Sequence, residues 1–98
     1  MAVLIPVDGP AKEIIGENKD QTLSLEQLQK ACGGLVQYVR CDPKYTDGHD
    51  HFYCHDEGKI KGLPVNAVAT LMGTLTAVDD LIVGDVLFCK ATPDGGSK

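Results

Sequence analysis

The densest group of chemically able side chains lies between residues 41 and 55, where Cys41, His49, His51, Cys54 and His55 stand close together in the chain. Thiolate sulfur and neutral imidazole form a donor set suited to zinc, so a zinc-supported structural module is one reading of this stretch. The spacing resists it. If residues 50–55 are extended, alternation puts His49, His51 and His55 on one face and Cys54 on the other, and no C-x-x-C pair occurs anywhere. Without a bend, the segment is a polar strand face with one buried thiol. Cys54-His55-Asp56 also fails as a nucleophilic centre, because neighbours on a strand point in opposite directions and the imidazole does not reach the thiol. No other acid–base pair stands out, so a protein without catalytic activity is expected. Asp79, Asp80 and Asp85 offer oxygen ligands for a hard cation, or simply cap a turn and keep the surface soluble.

A second constellation is the segment GKIKGLPVN, residues 58–66. Lys59 and Lys61 lie two apart in an extended stretch and therefore share a face. They lead into a helix N-terminus whose first N–H groups lack partners and whose dipole favours an anion. Asn66 adds an amide, Arg40 a further cation, and Gly58 and Gly62 allow close backbone approach. The segment lacks the Gly-Lys-Ser/Thr ending of a Walker loop, which argues against a nucleoside triphosphatase. Arg40, Lys59, Lys61 and Asn66 are thus the candidate ligand-binding residues. The plainer alternative is a solvated strand followed by a Pro-started helix.

The elements that must position these groups are legible in the periodicity. Residues 2–7 read as a strand, Asp8-Gly9-Pro10 as a turn, and residues 11–16 as the returning strand of a hairpin. Ser24 followed by Gln27 forms a capping box, and Leu23 can close on Leu28 as a hydrophobic staple. Leu25, Leu28, Ala31, Cys32 and Leu35 then recur at helical spacing, with Gly33-Gly34 as the stop. Residues 35–41 alternate as a strand, residues 49–55 supply its partner, and Pro64 is expected in the first turn of a second helix carrying Val65, Val68, Ala69 and Met72 inward. Residues 81–90 form the last apolar segment, broken at Gly84-Asp85. The expected fold is α+β: a small, mainly antiparallel sheet of about five strands with two helices on one face. Residues 1–90 make the domain and residues 91–98 a flexible C-terminal tail. A single helical layer would leave the other sheet face partly apolar, with Val36 and Tyr38 on it, which predicts a homo-oligomer.

Composition narrows the function classes. Ninety-eight residues, 43% of them hydrophobic, are enough for one modest core. A net charge of -5 and only 5% aromatic residues argue against nucleic acid and anionic membranes as partners. The apolar start, residues 1–7, has no basic region before it and is broken by Pro6 and Asp8, so it does not read as a signal peptide. The longest uncharged stretch, residues 62–78, is too short and too polar to span a bilayer. A cytoplasmic protein with reduced thiols is expected.

Taken in order, LIPVDGP, a helix ending in GG that runs into a strand, DEGKIKGLPVNAVAT and a closing IVGDVLF resemble the phage and mobile-element family DUF3846, a domain of unknown function. The resemblance covers nearly the whole chain and is most specific over residues 58–70 and 82–88. It implies a viral or mobile-element origin and a compact α+β fold, and it supplies no activity. The histidine-bearing stretch from Cys41 to Cys54 departs from the family pattern. Three functions follow as expectations. The first is an accessory protein that sequesters a small anionic ligand, such as a nucleotide immune signal, in a site formed between subunits. The second is an acidic inhibitor or adaptor that binds a basic site on a host factor. The third is the zinc-supported module.

Overall fold

The computed structural model describes residues 2–41, 43, 44, 46, 48–57, 61–74, 82–93 and 95–98. Five strands and two helices follow in the order β1 (Ala2–Ile5), β2 (Lys12–Ile14), α1 (Leu25–Cys32), β3 (Val36–Arg40), β4 (His51–His55), α2 (Ala67–Thr74) and β5 (Val86–Cys89). The strands form one antiparallel sheet in the order β2-β1-β5-β4-β3, so the last strand is inserted between the first and the fourth. That position explains its sequence. Val86, Leu87, Phe88 and Cys89 are all buried, because a central strand covered on both faces has no solvent side to alternate with.

The pleat divides the core in two. Leu87 and Cys89 join Ala2, Leu23 and Leu28 on one face, beneath α1. Val86 and Phe88 join Phe52, Ile82 and Ala69 on the other, beneath α2, with the Phe52 and Phe88 rings 5.2 Å apart. The helices therefore serve opposite faces, not the single face expected from sequence, because the wholly apolar β5 requires cover on both sides. Val36 and Tyr38 correspondingly lie on the α1 face: Val36 is half-buried against the Leu87 cluster, and Tyr38 stacks on His51.

Helix α1 starts and stops as its sequence dictates. Ser24 Oγ accepts from the Gln27 N–H, the Gln27 side chain accepts from the Ser24 N–H, and Gly33 closes the helix at φ 84°. Leu23 and Leu28 meet in the core, but Leu25, expected on the buried stripe, is exposed at the helix edge. Helix α2 begins later than expected. Pro64 lies ahead of the cap, Asn66 occupies the cap position, and of the expected inner face Ala69 is buried while Val65 and Val68 are exposed. Among the described residues no helix is long and apolar enough to cross a membrane.

The chain end also departs from expectation. Instead of leaving the domain as a flexible tail, the last residues fold back: Lys90 and Lys98 exchange backbone hydrogen bonds of 2.7 and 2.9 Å, and the Leu23 N–H donates to the Ser97 carbonyl at 2.8 Å. Ser97 is consequently buried.

Candidate functional site

The carboxyl end of α1, the end of β1 and the turn before α2 enclose a cleft of about 540 Å³. Lys30 and Lys61 line it together with His55, Asp8 and Asp85. Lys30 sits in the last turn of α1, where an ammonium group offsets the negative end of the helix. Asp85 Oδ1 is engaged by the Val7 N–H at 2.9 Å, so this carboxylate caps a backbone turn. His55, which is buried, accepts from the Glu57 N–H at 3.0 Å through Nδ1, so the neutral ring carries its proton on Nε2. The ring needs the adjoining glycine: a Cβ on Gly34 would lie 2.6 Å from Nε2. Cys32 also borders the cleft, but burial, reinforced by Cys54 and Asp85, pushes its thiol up to about 12, so it is held as a neutral thiol and not as a nucleophile.

The structure brings only part of the expected ligand set to this place. Lys61 is there, in an exposed turn whose N–H donates to the Glu57 carbonyl. Lys59 lies outside the described residues, as do Asp79 and Asp80. Arg40 is at the far end of the outer strand β3, paired with His51. It stands four residues, roughly 13 Å, along the sheet from the His55 end. Asn66 is not available to a ligand. It is 1% exposed, its Nδ2 donates to the Ile5 and Gly84 carbonyls at 2.8 and 3.0 Å, and its Oδ1 accepts from the Ala69 N–H at 3.1 Å. The helix N-terminus expected to receive an anion is therefore capped from within. Lys30 and His55 were not singled out from sequence as groups lining an anion site, since both reach the cleft through long-range contacts; the only local sign was a lysine in the last turn of a helix.

The expected metal cluster is split by the pleat. His51 and His55 point to the α1 face, at opposite ends of β4, whereas Cys54 and Cys41 pack with the Phe52 cluster on the other face. His49 departs from its expected place beside His51: it precedes the regular strand, bonds the Thr46 carbonyl through Nδ1 and meets the Phe88 ring edge-on. Among the described residues no three His, Cys, Asp or Glu side chains gather as metal ligands.

A different arrangement surrounds His51, which is 1% exposed. Its Nδ1 lies 2.6 Å from Asp50 Oδ1 and its Nε2 lies 2.8 Å from Ser97 Oγ, which is itself 2.9 Å from the Tyr53 hydroxyl. Burial pushes the Asp50 carboxyl up, but hydrogen bonds from His51 and the Ala91 N–H outweigh it and hold the group below its ordinary value. An ionised carboxylate only accepts, so Nδ1 carries the proton, and in the neutral imidazole Nε2 accepts from the Ser97 hydroxyl. Tyr53, whose phenol is raised by burial and stays protonated, completes the chain by donating to Ser97. Sequence gave no sign of this group, because Ser97 is 46 residues from His51 in a segment that reads as tail.

In comparison with known proteins, residues 1–98 match the family described as Domain of unknown function (DUF3846). No curated protein and no solved structure matches the chain.

Proposed function

The chain belongs to the family DUF3846, and from that premise we propose that it captures a small anionic ligand, of nucleotide size, in the cleft at the carboxyl end of α1. The observation that carries the reading is the pairing of Lys30 and Lys61 on one cleft beside His55. The cleft volume lies in the range of small-molecule sites. Cys32, the thiol that borders it, is kept neutral by burial, which favours holding a ligand over converting it. Exposed Val65 and Val68 follow the cleft-lining Leu63 and Pro64, and they give a second copy of the chain an apolar surface on which to close the site. The proposal retains an accessory role for a phage or mobile element, acting in the cytoplasm, where the four cysteines stay reduced.

Calorimetric titration with nucleoside monophosphates, nucleoside triphosphates and inorganic phosphate tests the reading. The Lys30→Glu, Lys61→Glu double variant is expected to lose at least tenfold in affinity, roughly 1.4 kcal/mol or more, while the ligand is recovered unchanged from the native chain. Equal affinity for native and double variant removes the proposal.

A second reading rests on a neighbouring groove of about 580 Å³, floored by Leu4, Ile14 and Ala31 and rimmed by Glu17, Glu26 and Asp85 with Lys30, which it shares with the cleft. Apolar floor and acidic rim suit a basic segment of a host protein. Binding of such a partner would weaken steeply with added salt and ignore nucleotides.

A further inference from the structure

We infer that Asp50, His51 and Ser97 form a nucleophilic centre that accepts a small acyl group, an activity separate from the cleft. The distances are those the chemistry needs: base to nucleophile 2.8 Å, orienting carboxylate to base 2.6 Å. The proton positions follow from chemistry as well. With Asp50 Oδ1 on Nδ1, the neutral imidazole keeps its proton on Nδ1 and turns an unprotonated Nε2 to Ser97, which is the arrangement of a general base directed at a hydroxyl.

Ser97 is held as a nucleophile must be. Its carbonyl is bound by the Leu23 N–H, and the Lys90–Lys98 pair beside it fixes the segment on which it lies. Tyr38 stacks on the His51 ring at 4.8 Å and is 52% exposed, so it forms the solvent-side wall of the group. Ser97 itself is only 7% exposed. That narrowness selects the substrate class: an ester of a short carboxylic acid, acetyl in scale, reaches Oγ, whereas a long acyl chain is excluded.

The step balances within the group. Ser97 Oγ attacks the ester carbonyl carbon while its proton passes to His51 Nε2, and the resulting imidazolium is stabilised by the Asp50 carboxylate. The Tyr53 hydroxyl, which donates to Oγ in the resting state, turns its proton to the oxyanion of the tetrahedral adduct. The adduct collapses with cleavage of the C–O bond to the leaving group, which takes the proton from Nε2 and departs as an alcohol. Water then attacks the acyl-serine, His51 accepts the water proton and returns it to Oγ, and a carboxylic acid leaves.

The test uses the full chain with p-nitrophenyl acetate and, in a parallel arm, p-nitrophenyl decanoate, followed by peptide mass spectrometry of the quenched protein. One acetyl group on Ser97, with no decanoyl group there, is expected. Ser97→Ala should lose that acetyl group while any surface lysine acetylation persists. His51→Asn, checked for folding by circular dichroism, should acylate roughly a hundredfold more slowly or worse, the scale of general-base assistance. Mapping the native chain needs no variant. An unmodified Ser97 together with p-nitrophenolate release no faster from the native chain than from Ser97→Ala overturns the inference, and so does acylation of Ser97 at an unchanged rate in a folded His51→Asn protein.

Discussion

Two polar regions meet the α1 side of the fold, one at each end of the helix, and they spend their hydrogen-bonding capacity in opposite ways. At the carboxyl end, Lys30 and Lys61 stand over open volume with donors to spare, beside His55, Asp8 and Asp85. Near the amino end, Tyr53, Ser97, His51 and Asp50 are hydrogen-bonded in a closed line that also takes in the Ala91 N–H. Spare donors make a place for something from outside; a closed line fixes geometry and tautomer. The contrast predicts that substitutions in the first region change binding and leave stability near its native value, whereas substitutions in the second change stability and reactivity together.

The sharpest way to break the comparison is at Asn66, the buried residue that ties the wall of the cleft to the sheet. Asn66→Ala strands the Ile5 and Gly84 carbonyls and uncaps α2 at Ala69, which should cost about 3 kcal/mol in urea unfolding. A loss below about 1 kcal/mol would mean that this amide is replaceable by water and that the cleft wall is independent of it. Next is Gly34→Ala, whose new Cβ would lie 2.6 Å from His55 Nε2. The ring has to move, costing about 1–3 kcal/mol and displacing a wall of the cleft, so ligand affinity should fall along with stability. Ser97→Ala leaves His51 Nε2 and the Tyr53 hydroxyl without their partner and should cost about 1–2 kcal/mol, with the anion affinity of the cleft unchanged. Lys61→Glu, by contrast, should move stability by no more than about 0.5 kcal/mol.

The difference between the two regions also explains what could be read from the sequence. Helix α1, its capping box and its glycine stop were legible because each signal lies within four residues of its partner. Alternation in residues 35–41 and the apolar segment at residues 81–90, broken at Gly84-Asp85, likewise announced strands. The sequence did not reveal that β5 enters the centre of the sheet, and that one placement decides that the helices lie on opposite faces. The cleft was half legible: Lys61 stood out, while Asn66 looked like a ligand donor because nothing local shows that its amide is consumed by Ile5 and Gly84, 61 and 18 residues away. The Ser97 line was invisible for the same reason. Ser97 becomes informative only once the backbone pairs Lys90 with Lys98 and lays it against His51.

A pH-dependent effect isolates the carboxylate at the end of that line. The Asp50 carboxyl is held below its ordinary value in the folded chain by the His51 and Ala91 hydrogen bonds, which outweigh the opposing effect of burial. A group whose pKa is lower folded than unfolded stabilises the fold above its unfolded value, and that contribution is lost as pH falls through the folded one. The loss should therefore appear from roughly pH 4 downward. The carboxylate is substantially exposed, its side chain 43% accessible, so solvent screening keeps the effect below about 1 kcal/mol. Asp50→Asn still accepts from His51 through its amide oxygen but has no proton to gain. Urea unfolding of both proteins at pH 7 and pH 3 should show the native chain losing more stability than the variant. Equal losses would show that Asp50 contributes nothing charged to the fold, and the tautomer assigned to His51 would lose its support.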